Sequence, residues 1–260
     1  MKREGQLEVV VTSGGTISPV DDVRHIGNFS RGTTGAIIAE EFLKAGAKVH
    51  YVYGYGADMP FKRNAVMDFD SGFGEGIWKV ENAYHNWRRH ESNLELHSAP
   101  TFDKYYMALR DLLCDCDVDA IVSVAAVNDY KAKKQKGKIS SDKDRLIIEL
   151  EKTEKVINKF KRWNPLVYQV GFKLLSGVSC EELVDVAYEH GRKNGSNFTV
   201  ANLKENLDDT TYLVYPSYTS QKIRRENLPG RIVEATIKYC KKKILMPPST
   251  DDLGEEVSIK

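Results

Sequence analysis

An apolar run, Glu8–Thr12, ends in the pair Gly14-Gly15, and the next segment with helical spacing opens only at Thr33. A strand-to-helix connection is normally a handful of residues, so one of about twenty in an otherwise compact pattern reads as functional. The helix Thr33–Ala45 sets Ile38, Phe42 and Ala45 at i, i+4 and i+7, and Gly46 stops it. Lys48–Tyr53 reads as a second strand. This βαβ opening predicts a parallel sheet.

The alternation continues along the chain. Helices are predicted over Phe102–Leu113, Glu154–Trp163 (closed by Asn164-Pro165), Cys180–Lys193 and Arg231–Lys242. Strands are predicted over Ala120–Val124, Leu146–Leu150, Val167–Phe172, Phe198–Ala201 and Thr211–Tyr215. The expected architecture is one α/β domain over residues 1–245, doubly wound around a mostly parallel, Rossmann-like sheet with helices on both faces. Tyr55–Pro100, rich in glycine, aromatics and charge, reads as a short strand with an insertion at residues 73–93. From Met246 onward the polar, acidic sequence predicts a disordered tail.

Composition narrows the partners. The 38 Lys and Arg balance 37 Asp and Glu, so no basic field points to nucleic acid. No apolar run is long enough to span a membrane, and Met1-Lys2-Arg3 opens no signal peptide. Cys114, Cys116, Cys180 and Cys240 form no disulfide framework, and Cys114-x-Cys116 has no second pair with which to hold a metal. They read as reduced thiols in a cytoplasmic protein. Small-molecule ligands are expected.

In a doubly wound sheet, ligands sit at the carboxyl ends of the strands. Gly14-Gly15, Ala125–Asp129 and Phe172-Lys173 all fall there and should converge on one crevice. The cluster Asn28–Gly35 adds N–H groups at a helix N-terminus, a site for an anion, with Arg24 and Asn28 beside it. Arg24 can grip a phosphate or carboxylate. Asn28 is either a donor to an oxygen gaining charge or a helix cap. Asp129 is either an acceptor for a ribose hydroxyl, near magnesium, or a turn residue. The lysines at 131, 133, 134, 136 and 138 are either a solvated face or a lid. Lys138 stands out between Gly137 and Ile139. A nicotinamide-dependent reductase is disfavoured, because the strict G-x-G-x-x-G turn is absent and Tyr53-Gly54-Tyr55 stands where an acidic ribose ligand belongs.

Taken together, T-S-G-G-T-x-x-x-x-D-x-V-R-x-I-x-N-x-S-x-G-x-x-G from Thr12 to Gly35, A-A-V-x-D-Y from Ala125, K-I-S at Lys138, G-F-K-L-L from Gly171 and V-A-N from Val200 resemble the phosphopantothenate–cysteine ligases of coenzyme A biosynthesis, in their stand-alone form. The resemblance implies a two-step ligation through an acyl-nucleotide, with CTP expected and ATP the alternative, magnesium, and a homodimer. It implies catalytic roles for Asn28, Lys138 and Arg24. It puts Gly14, Gly15, Ser30, Gly32 and Ala126 around the phosphorylated substrate. Ser123, Val124, Ala125, Asp129, Lys138, Glu154, Lys155, Val156, Ile157, Phe172 and Lys193 would frame the nucleotide. Three residues depart from the family pattern: Arg31 in Ser30-Arg31-Gly32, Glu154 in place of the proline of an Asn-Pro pair, and Glu189 in place of a second lysine. They leave a catalytically altered nucleotide-binding homologue as the competing reading.

Overall fold

The computed structural model describes residues 5–67, 72–142 and 144–245. The tail expected from Met246, and Lys143 at the end of the lysine run, lie outside them. Six parallel strands form the core: β1 (Glu8–Ser13), β4 (Lys48–Tyr53), β5 (Leu94–Ser98), β6 (Ala120–Ser123), β9 (Tyr168–Leu175) and β10 (Phe198–Leu203). Their spatial order is β5-β4-β1-β6-β9-β10, and antiparallel β11 (Thr210–Val214) and β12 (Ser220–Arg224) extend the far edge to an 8-stranded sheet. This is the doubly wound dinucleotide-fold order, with the direction of winding reversing between β1 and β6.

Residues of β1 are buried along its whole length, which is why it reads as an unbroken apolar run. Val9 and Val11 face one layer and Val10 the other. Helices α1 (Thr33–Lys44) and α6 (Leu228–Leu245) cover the first face with Phe42, Leu43, Leu228 and Ile232. Helix α3 (Phe102–Asp115) and the short α4 (Phe160–Trp163) cover the second with Leu109, Leu113 and Phe160, and α5 (Cys180–Asn194) continues that layer over β10 and β11. The insertion is a helix, α2 (Phe73–His90), between β4 and β5.

Several elements differ from the sequence reading. The long connection after β1 contains a hairpin, β2 (Ile17–Pro19) with β3 (His25–Gly27), each strand too short to show a period and β3 exposed throughout. The strand expected over Leu146–Leu150 is only β8 (Leu150–Lys152), paired with β7 (Tyr130–Ala132). Leu146, Ile147 and Ile148 are exposed, so their apolar character does not mark a core strand. The helix expected from Glu154 is a 3-10 turn, Val156–Lys159, followed by a single turn of α4. Helix α6 begins earlier than Arg231, and β12 carries only Ile223 as a buried residue. No helix of the described residues is long and apolar enough to cross a membrane.

Candidate active site

At the switch between β1 and β6 the two chains continue side by side beyond the sheet. The Ala126 N–H donates to the Gly14 carbonyl at 2.8 Å, and the Thr16 N–H donates to the Ala126 carbonyl at 3.1 Å. The Thr12 hydroxyl accepts from the Ala125 N–H at 3.0 Å, and that of Thr16 accepts from the Asn128 N–H at 2.8 Å. Gly14 and Gly32 permit this crowding. Both have φ of +74°, and a Cβ on Gly32 would sit 2.4 Å from the Ser13 hydroxyl and 2.5 Å from the Gly14 nitrogen. A side chain at either position would have to move the turn.

Over this junction lies a cleft of 360 Å³. Its lining gathers Asn28, Ser123, Ala125, Ala126, Asp129, Glu154, Lys155, Val156, Ile157 and Phe172, ten of the residues expected at the site. They come from the ends of β6 and β9, the hairpin and the 3-10 turn. Gly15 lies beneath them, bridged to Ala126. Ser30, Gly32, Val124, Lys138, Lys193 and Arg24 are outside this lining.

Asn28 is not a helix cap. Gly32 occupies the N-cap of α1, and that helix end has neither a side-chain cap nor an acidic first turn. The Asn28 amide instead donates to the Ala126 carbonyl at 3.1 Å and lies 3.0 Å from the Asn128 amide. Asp129 pairs with Lys155, and Glu154 with Lys159 at 3.0 Å. Both carboxylates at the cleft are therefore already compensated.

Arg24 is turned toward Asp21 rather than toward an open anion site. Its Nε donates to Asp21 at 2.9 Å, and its terminal nitrogen donates to the Ile139 carbonyl at 2.6 Å. Asp21 is buried and also accepts from the Val23, Arg24 and Ile139 N–H groups. Burial alone would raise its carboxyl pKa. The N–H donors of Val23 and Ile139, with Arg24, override that and hold it far below the usual carboxylate range. Asp22 accepts from the Gly137 N–H at 2.8 Å and pairs with Lys134 at 2.8 Å. Lys134 first, then Gly137, lowers its pKa. The lysine loop is thus tied to the hairpin by two adjacent carboxylates. Lys131 pairs with Asp103, whereas Lys138 is exposed and has no ion-pair partner among the described residues.

Val127, Asn128 and Lys173, from the strand ends expected to converge here, also line the cleft, and Tyr105, Leu174 and His190 join them from outside the sequence expectation. His190 Nε2 is buried with no hydrogen-bond partner. Burial, then the charges of Lys173, Lys155 and Lys193, lowers its pKa to about 4. The ring is therefore neutral at pH 7. A signal for it exists in the sequence: Leu183, Ala187, His190 and Asn194 fall at i, i+4, i+7 and i+11 of α5, so the histidine lies beside the buried stripe. Two departures noted above point elsewhere. Glu189 pairs with Arg192 at 2.9 Å, and Arg31 is exposed and lies 3.4 Å from Asp58.

The chain is 31% identical over 230 residues to phosphopantothenate–cysteine ligase 2 of Oryza sativa, covering 79% of this chain and 71% of that protein. It is 33% identical over 195 residues to the coenzyme A biosynthesis bifunctional protein CoaBC of Thermococcus kodakarensis, covering 75% of this chain. The match to the Methanocaldococcus jannaschii CoaBC protein is 27% over 249 residues and 93% of this chain. The aligned regions span 40% and 53% of those two archaeal proteins. The crystal structure of the DNA/pantothenate metabolism flavoprotein from Streptococcus pneumoniae superposes with a TM-score of 0.72 at 25% identity, covering 90% of this chain and 99% of that one. A histidine-to-alanine mutant of Cab2 in complex with phosphopantothenate-cysteine shares the fold, with a TM-score of 0.75 at 22% identity over 92% of this chain and 88% of that one. The family described as DNA/pantothenate metabolism flavoprotein, C-terminal domain, matches residues 5–71 and 88–214, leaving out most of α2, and the chain belongs to that family.

Proposed function

We propose that this chain joins 4′-phosphopantothenate to L-cysteine, giving 4′-phosphopantothenoylcysteine, through an acyl-cytidylate made from CTP. The observation that carries this reading is the single cleft in which Asn28, Ala126, Asp129 and Phe172 meet beside Lys155, Lys173 and a neutral His190. A cleft of small walls and converging cations suits a nucleoside triphosphate meeting a carboxylate. The name of the rice ligase supports the ligation, and those of the archaeal bifunctional proteins support a place in coenzyme A biosynthesis.

In the first step a substrate carboxylate oxygen attacks the α-phosphorus, a P–O bond forms, and pyrophosphate leaves. In the second the cysteine amine attacks the acyl carbon, the C–O bond to the nucleotide breaks, and the amine proton is lost as the monophosphate departs. Asn28 donates its amide to the acyl or phosphoryl oxygen. Ser123, Ala125 and Phe172 hold the base and ribose, with Val124 behind them. Lys138, Lys155 and Lys193 meet the phosphates, Lys138 from the lysine loop. Arg24 positions that loop through the Ile139 carbonyl. Gly14, Gly15, Ser30, Gly32 and the N-terminus of α1 receive the substrate phosphate. Since Asp129 and Glu154 each already hold a lysine, magnesium enters with the triphosphate oxygens as its principal ligands. The exposed Leu146–Ile148 run and Phe29 are the surfaces on which two copies would meet as a homodimer. The free cysteines fit a cytoplasmic setting.

The test is pyrophosphate release from CTP or ATP with 4′-phosphopantothenate. Without cysteine, at most one equivalent per site is expected, and adding cysteine should start turnover. Faster turnover with ATP would reassign the nucleotide. No pyrophosphate with either would leave the chain a nucleotide-binding homologue without the activity.

A further inference from the structure

At the β5 edge of the sheet a second polar cluster lies among β1, β4 and β5. Glu8 pairs in register with Lys48, and His50 with Glu95, while His97 lies two residues along β5 on the same side as Glu95. Glu95 and His97 stand on β5, three strands from β6, and none of the cluster lines the cleft, so the two sites are separate. His50 is buried. Its Nε2 lies 2.5 Å from Glu8, and its Nδ1 lies 3.0 Å from Glu95 Oε2 and 3.1 Å from His97 Nε2. His97 Nε2 and Glu95 Oε2 are 4.0 Å apart.

We propose that His50 Nδ1, His97 Nε2 and Glu95 Oε2 form a binding site for a divalent transition-metal ion of the zinc class. The atoms meet the demands of such an ion. Tetrahedral zinc with bonds of about 2.0–2.1 Å sets its ligand atoms about 3.3 Å apart, and the three separations bracket that value. Two imidazoles and one carboxylate oxygen suit zinc, cobalt or nickel rather than magnesium or calcium. The surrounding shell is in place as well. With its Nε2 proton given to the buried Glu8 carboxylate, His50 is fixed in the tautomer whose Nδ1 lone pair points at the other two atoms, the arrangement common to metal-binding histidines. Lys48 lies 2.9 Å from Glu95 Oε1 and 3.2 Å from Glu8 Oε1, which leaves Glu95 one free oxygen for a metal.

Charge and lone pairs both call for a cation. Two carboxylates and one lysine leave the cluster one negative charge when both histidines are neutral. A neutral His50 that donates to Glu8 turns its Nδ1 lone pair toward the Glu95 oxygen and toward His97 Nε2, whose N–H can donate to it; a cation in place of that hydrogen meets all three atoms at once. Glu95 and His97 are partly exposed, so an ion has an entry path and water can fill the fourth position.

The experiment is titration of the chelator-treated protein with Zn2+ by calorimetry, and with Co2+ by visible absorption, at pH 7.5. One equivalent per chain is expected, with cobalt bands of a tetrahedral or five-coordinate nitrogen and oxygen site. His97→Gln and Glu95→Gln, both at partly exposed positions, should each weaken binding at least tenfold, and Glu8→Gln by roughly 10- to 100-fold through the tautomer it fixes. Zinc should raise the Tm of the native sequence but not that of His97→Gln. The proposal is overturned if the native protein takes up no Zn2+ at 100 μM, if His97→Gln binds it equally well, or if a cobalt–thiolate band shows the metal at Cys114 and Cys116 instead.

Discussion

His190 links the chemistry of the cleft to the stability of the fold. An unfolded chain protonates this imidazole as the pH falls through about 6.5. In the folded chain, burial and then Lys173, Lys155 and Lys193 delay protonation to about 4. Between those values the unfolded state binds more protons, so stability falls as the pH falls. The stability is fully present above about pH 7 and is lost progressively toward pH 4. Going from about pH 7.5 to about pH 5, the two pKa values give a loss of roughly 2 kcal/mol, and solvent screening of the partly exposed ring reduces that to about 1 kcal/mol. Urea unfolding of the native sequence and of His190→Gln at both pH values measures it. The glutamine variant should lose about 1 kcal/mol less on acidification, whatever its stability at neutral pH, because the difference between the two pH values cancels packing effects. Identical pH dependence in the two proteins would refute the reasoning and would mean that His190 is not held neutral by the cleft.

Other residues make sharper demands on activity. Asn28→Asp should lower kcat about a hundredfold or more without changing the Tm, since the exposed side chain loses a donor at the reacting oxygen; an unchanged kcat would remove Asn28 from the chemistry. Lys138→Gln should lower kcat/KM for the nucleotide by roughly 10- to 100-fold, the worth of a direct charge-assisted contact. Lys136→Gln, at an exposed lysine of the same loop, should change it less than about fivefold, and equal effects would make the run a diffuse field. Asp21→Asn should loosen the lysine loop, because Arg24 and the Ile139 N–H lose their shared carboxylate; trypsin should then cut between Lys133 and Lys138 faster than in the native chain, with CTP protecting both, and an unchanged cleavage rate would show that other contacts hold the loop.

The sheet is legible in the sequence where burial is complete. Val9–Val11, Ala120–Val122 and Phe198–Ala201 are apolar because both faces are covered, and each lies in a core strand. The same logic fails for Leu146–Ile148, which are apolar but find no partner strand among the described residues. It also fails for β3 and β12, which are mostly exposed, and for β2, whose three residues are too few to show a period. The cleft is legible to the extent that turn chemistry marks it. Gly14, Gly15, Ala125, Ala126 and Asp129 sit at strand ends, where small residues and a carboxylate stand out. Phe172-Lys173 is marked in the same way, by its place at a strand end. His190 is marked only as lying beside the buried stripe of α5; that it meets Lys173 comes from α5 packing near β9, which one-dimensional spacing does not encode.

The same packing bears on the residues that depart from the family pattern. Glu189 removes a lysine from α5, yet it turns to Arg192 and away from the cleft, so its charge is spent locally. Arg31 adds a guanidinium near α1, yet it faces Asp58, which also accepts from the Thr33 hydroxyl at 2.6 Å. The positive potential felt at His190 comes instead from Lys155, Lys173 and Lys193, on three different elements. A site assembled this way tolerates the loss of any one sequence-adjacent lysine, because its field is the sum of charges brought together by the fold. Such an arrangement also keeps His190 neutral, and a neutral imidazole among cations can donate or accept a hydrogen bond without competing for the phosphates. The departures at Arg31 and Glu189 therefore place no new charge in the cleft, while Glu154, which does line it, is held by Lys159, so all three weigh less against the ligase reading than their positions in the sequence suggest.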